Sequence, residues 1–160
     1  MKRLQTLFIG LALATAMVSV GAFFALIGSI FVKAWVWKDA SFGIYLPLLP
    51  ASLTLWGASG LFLLLALAFG LYTTFLYEKG QLFTEAMTRG LDRVAFCFLA
   101  TAAGFLLLCI YLVLNVQRIT LFFLFFLPAV LFASAALFFF LLSDVTEEGR
   151  RLREENDLTI

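Results

Sequence analysis

Four long apolar runs divide the chain: Leu7–Val32, Ala51–Leu76, Val94–Val116 and Leu121–Leu142. None contains an Asp, Glu, Lys or Arg. A helix needs about 20 predominantly apolar residues to cross a hydrocarbon core about 30 Å thick, and each run meets that length. The core has no water to bond backbone groups, so each run must be helical. The pattern predicts an all-α polytopic membrane protein, an antiparallel four-helix transmembrane bundle forming one membrane domain over residues 1–160. The link Gln117–Thr120 is short enough to force the third and fourth spans into a hairpin. The longest polar break, Tyr77–Arg93, separates the two hairpins, and a polar tail, Ser143–Ile160, follows the last span.

Composition agrees and narrows the chemistry. The chain is 64% hydrophobic and 13% charged, against about 45–50% and about 25% in soluble domains. It has no His, which removes the commonest metal ligand and the usual general base. Cys97 and Cys109 fall in one expected helix about 18 Å apart in rise, beyond disulfide reach. No catalytic, cofactor-binding or metal-binding constellation is legible, and an enzyme is not expected. Glu78, Glu85 and Asp92 are candidates only by being acidic, and Arg89 and Arg93 stand ready to pair with such groups. Met1-Lys2-Arg3 ahead of an apolar run looks like a secretory leader. The run is far longer than the about 7–15 residues of a leader core, so it reads as a retained first span.

Charge placement sets an expected orientation. With the N-terminus inside, Lys2, Arg3, Lys79, Arg89, Arg93, Arg150, Arg151 and Arg153 are cytoplasmic, while Lys33, Lys38 and Arg118 are outside. That bias predicts cytoplasmic N- and C-termini. Trp35, Trp37 and Tyr45 then anchor the outer interface, and Tyr72 and Tyr77 the inner one. Pro47 and Pro50 lead into the second helix, whose first turn tolerates a missing N–H.

Small residues mark where helices approach in lipid. The first span carries Ala14, Val18, Gly21, Ala25 and Gly28 at alternating spacings of four and three, the seam of a left-handed pair. The second offers Gly57, Gly60, Ala66 and Gly70; the fourth offers Ala129, Ala133 and Ala136, with Pro128 as an expected kink. In the third, Cys97, Thr101, Gly104, Leu108, Tyr111 and Asn115 share the same alternation. Their polar groups read as interhelical hydrogen-bonding partners. A solute path is the competing reading; it needs a homo-oligomer, because a single four-helix chain leaves little room for a pore.

The polar break divides into a turn at Gly80 and a helix from Glu85, with Thr84 as its N-cap. Leu82 and Phe83 are placed to dip into the headgroup region. In the tail, Glu147 and Arg151, and Arg150 and Glu154, are opposite charges four apart. The fourth helix is expected to continue outward, loosened at Gly149, with Leu158 and Ile160 alternating as in an extended strand.

Gly80-Gln-Leu-Phe-Thr84, followed by a helix with Leu91, resembles the pattern G-x-x-F-T/S of the bacterial domain of unknown function 2975 family. Gly149-Arg-Arg-Leu152 and Glu155-Asn-Asp-Leu-Thr-Ile160 resemble that family's C-terminal signature. The resemblance runs over essentially the whole chain. One departure is Met87, where the family pattern leads one to expect Asn. The resemblance implies a four-span protein of the bacterial inner membrane, with no assigned activity. It also implies a cytosolic partner, since members are often encoded beside a small helix-turn-helix regulator. A regulatory or interaction protein is therefore expected, contacting that partner through Phe83, Thr84, Leu152, Glu155, Asn156, Asp157, Leu158 and Ile160. Its other partner is the lipid bilayer, direct nucleic-acid binding is not expected, and a component of an oligomeric transporter or channel is the alternative.

Overall fold

The computed structural model describes residues 2–36, 46–116 and 119–158, with side chains over 8–33, 46–116 and 122–156. The anchors expected at Trp35, Trp37 and Tyr45, the cation Arg118, and the side chains of Asp157, Leu158 and Ile160 lie outside those ranges. Four helices make up the described chain: α1 (Lys2–Val36), α2 (Leu49–Glu78), α3 (Glu85–Val116) and α4 (Ile119–Leu158). All four are long and apolar enough to cross a membrane.

The helices overrun the apolar runs that nucleate them. At about 1.5 Å per residue, the 32 residues of α3 span about 48 Å and the 40 of α4 about 60 Å, both well beyond a hydrocarbon core. The helix expected inside the polar break is the first part of α3, joined to its span without interruption. Pro50 occupies the first turn of α2, and Pro47 sits in the 3₁₀ turn Leu46–Leu48 ahead of it. α4 passes through Pro128 without ending.

Consecutive helices pack in chain order. α2 and α3 meet through small residues at two levels about four turns apart. A Cβ at Gly90 would stand 2.7 Å from Thr73 Cγ2, and one at Gly104 would overlap Ser59 Oγ. Thr101, fully buried between these helices, donates to the Cys97 carbonyl at 2.9 Å, with the Ser59 carbonyl at 3.4 Å. α3 and α4 are registered by Ser143 Oγ donating to the Thr88 carbonyl at 3.3 Å and Cys109 Sγ to the Phe122 carbonyl at 3.7 Å. That antiparallel register sets buried Ala95 across from Ala136 and buried Ala102 across from Ala129. Alanine on both sides lets the backbones come close, which is how helices gain dispersion energy in lipid.

The α1–α2 contact differs from the expected small-residue seam. Ala14, Val18 and Ala25 are exposed, and Gly28 has open space where a side chain would begin. Only Gly21 reaches α2, near Leu64. The face in use is the bulky one: Phe24 lies on Gly60, and Leu13 reaches Gly70. Since α2 supplies the small residues at this contact, α1 supplies the large ones, and the seam along α1 turns away. Among the described residues, α1 makes no close backbone approach to α3 or α4, and α2 makes none to α4. The antiparallel array is therefore open along the side between α1 and α4.

Candidate functional site at the loop and the tail

The turn after α2 is built by a glycine cap. Gly80 adopts φ +75°, a conformation open to glycine at little cost. Its N–H bonds the Tyr77 carbonyl at 3.0 Å while that of Gln81 reaches back to Leu76 at 3.1 Å. These two reversed bonds occupy carbonyls that the helix end would leave unpaired. Thr84 then starts α3, its Oγ1 accepting from the Met87 N–H at 3.4 Å, with Glu85 in the first turn beside the positive end of the helix dipole.

Between these caps the chain offers Phe83 to α4. A Cβ at Gly149 would stand 2.5 Å from Phe83 Cε1 and 2.7 Å from Cδ1. The ring thus fits only because residue 149 has no side chain. Gly149, expected to loosen the helix, is instead the seat of the loop's aromatic ring, and Phe83, expected at the headgroups, packs on α4. Beneath them Leu76, Met87 and Leu91 form a buried apolar cluster with Phe139 against it. Met87, the departure from the family pattern, is thereby a core residue.

Ion pairs stiffen the outer part of α4. Arg150 bonds Glu147 at 2.6 Å and Glu154 at 2.5 Å, and Arg151 lies 3.4 Å from Glu147. The hydrogen bond from Arg150 is the main cause holding the Glu147 carboxyl below its ordinary range. In the loop, the bond from Arg89 lowers Glu85 in the same way, with a smaller contribution from Arg150 across the gap to the tail. The exposed Glu85–Arg89 pair contributes little; the half-buried Arg150–Glu147 pair and its neighbours, in a row, favour continued helix. α4 accordingly runs on to Leu158, which is helical rather than extended; Ile160, the other half of the expected alternation, lies outside the described residues.

Leu152, Glu155 and Asn156 are exposed on α4. Gly21, Gly60, Thr101 and Gly104 lie at helix contacts. Gly57 has open space around it, and Asn115 is exposed, its amide donating to the Tyr111 carbonyl of its own helix at 2.7 Å. The stripe from Thr101 to Asn115 therefore does not line one buried surface. Gly90, Ser59 and Ser143 went unread in the sequence; a small residue inside or beside each run was the available signal.

A second concavity lies toward the other end of the array. All four helices line an apolar cleft of about 700 Å³, in which Phe24, Trp56, Phe105 and Phe132 stand close together. Trp56 stacks on Phe24 with ring centres 4.5 Å apart, and Phe105 meets it edge-on at 5.8 Å. Trp56 is the one tryptophan that lies inside an apolar run. Among the described residues no group of three or more His, Cys, Asp or Glu side chains is placed to hold a metal.

Four long apolar helices define a multi-pass membrane protein. The chain matches the family described as Protein of unknown function (DUF2975) over residues 44–160, and it belongs to that family. The match starts beyond α1, so the resemblance covers α2 to α4 rather than essentially the whole chain. No curated protein and no solved structure matches the chain.

Proposed function

We propose that this is a bacterial inner-membrane protein with both termini in the cytoplasm, and that it regulates by holding a cytosolic protein on its loop and tail. The observation that carries the proposal is the seating of Phe83 on Gly149, which joins the loop and the outer part of α4 into one surface. On α4, Val145 and Leu152 lie two turns apart on one face, 66% and 61% exposed. An apolar stripe that leaves the membrane run and continues among charges suits a helix or groove of a partner protein. The Lys and Arg bias supports a cytoplasmic position for this surface. A helix-turn-helix regulator is the partner class that the family's gene neighbourhoods suggest. The protein itself is not proposed to bind nucleic acid, since Arg150 and Arg151 are engaged by Glu147 and Glu154.

The test is photocrosslinking in cells from a probe at position 148, beside the stripe, with deletion of 156–160 and Leu152→Asp as variants. Loss of the crosslinked product in both variants, with membrane insertion unchanged, is the expected result. An undiminished product in both sinks the proposal.

A further inference from the structure

We propose that the cleft between α1 and α4 is a binding site for one hydrocarbon chain of a membrane lipid. Its walls come from the apolar runs of all four helices, so it lies at membrane depth. The polar side chains that line it are already engaged within the protein. Ser52 Oγ donates to the Leu48 carbonyl at 2.9 Å, and Trp56 Nε1 to the Phe24 carbonyl at 3.5 Å. Among the described residues an occupant therefore finds no free side-chain donor, and water has little hold on such a surface.

Size separates the apolar candidates. About 700 Å³ is within the range of small-molecule pockets, about 300–1,000 Å³. A spanning helix about 10–12 Å across and about 30 Å long is far bulkier than the cleft, so a second copy would seat only part of one helix face there. A single flexible chain fits. Entry is from the side, because among the described residues α1 and α4 make no close backbone approach. α1 also needs the occupant. None of its span is buried, and Phe23, on the rim of the cleft, is 56% exposed. A hydrocarbon chain laid along Val20, Phe24 and Ile27 completes the packing that α2 alone leaves unfinished.

Trp56 reports on the site directly. Replacing Trp35 and Trp37 by Phe leaves it the sole tryptophan of the three. The full chain is reconstituted in phosphatidylcholine vesicles with increasing fractions of mid-chain brominated lipid, and retained lipid is counted by native mass spectrometry. The expected result is a saturable component of Trp56 quenching and one retained lipid per chain. Val20→Phe and Leu124→Phe, which fill the cleft, should weaken retention at least about tenfold, a change of about 1.4 kcal/mol. Val18→Phe, on the exposed face of α1, should leave it unchanged. Quenching that tracks bulk lipid without saturating overturns the proposal, and this readout does not depend on the filled variants folding. Equal retention in filled and unfilled proteins, or retention of a second copy in place of lipid, overturns it as well.

Discussion

The contact between Phe83 and Gly149 can be tested by a double-mutant cycle in which two effects oppose each other. Ala is favoured over Gly in a helix interior by about 0.8–1 kcal/mol. At position 149, however, the new methyl carbon would stand 2.5 Å from Phe83 Cε1, so the ring must leave its seat. Phe83 is 40% exposed in place. Full burial of a Phe side chain contributes about 1.5–3 kcal/mol, so unseating this one costs about 1–2 kcal/mol. Gly149→Ala alone should then fall between neutral and about 1 kcal/mol destabilising. In a Phe83→Ala background there is no ring to displace, and the same substitution should stabilise by about 0.8–1 kcal/mol. The coupling between the sites is the difference, about 1–2 kcal/mol. Thermal unfolding in detergent measures each corner of the cycle, and amide exchange over 81–88 reads the loop locally. If Gly149→Ala stabilises equally in both backgrounds, within about 0.5 kcal/mol, the ring does not rest on that glycine and the joined surface is lost.

Two further outcomes follow from the packing and the charges. Gly104→Val drives a branched side chain onto Ser59 and should destabilise by about 1–3 kcal/mol in thermal unfolding, whereas Gly57→Ala, with open space around it, should be neutral or slightly stabilising. Glu147 is held below its ordinary value of 4.5, so its ion pairs support α4 fully above that pH and lose their effect as the pH falls through the depressed value. A spin label at position 153 should become more mobile as the pH falls below that ordinary value. Glu147→Gln should remove that dependence; mobility that changes identically in both proteins would count against the pairing.

The spans were legible because lipid imposes both a length and an absence of charge. The turn was legible because its two caps need particular residues: a left-handed φ at Gly80 and a side-chain acceptor at Thr84. Which face of α1 packs was not legible. A small residue permits close approach but does not choose its partner, and here Gly60 takes Phe24. The polar stripe on α3 misled for a related reason. Asn115 satisfies its amide on its own helix, so helical spacing alone did not place it between helices. Gly149 read as a weak point because its use lies in what Phe83 does from 66 positions away in the chain. The cleft depends on two helices failing to meet, and no local pattern encodes that.

The unbroken course of α4 couples distance to direction. From the end of its apolar run at Leu142, the helix rises about 15 Å to Leu152, since each residue adds about 1.5 Å. Whatever is held at Leu152 is therefore kept at a fixed standoff from the bilayer, as on a rigid mast. A single residue inserted between Ser143 and Glu148 would raise that point by only about 1.5 Å but swing it by about 100° around the axis. It would also carry Gly149 out from under Phe83. Four inserted residues would nearly restore the bearing while lifting the point by about 6 Å. The stretch Ser143–Glu148 thus sets both the height and the compass heading of the outer helix, and the seat of Phe83 on Gly149 ties both to the loop.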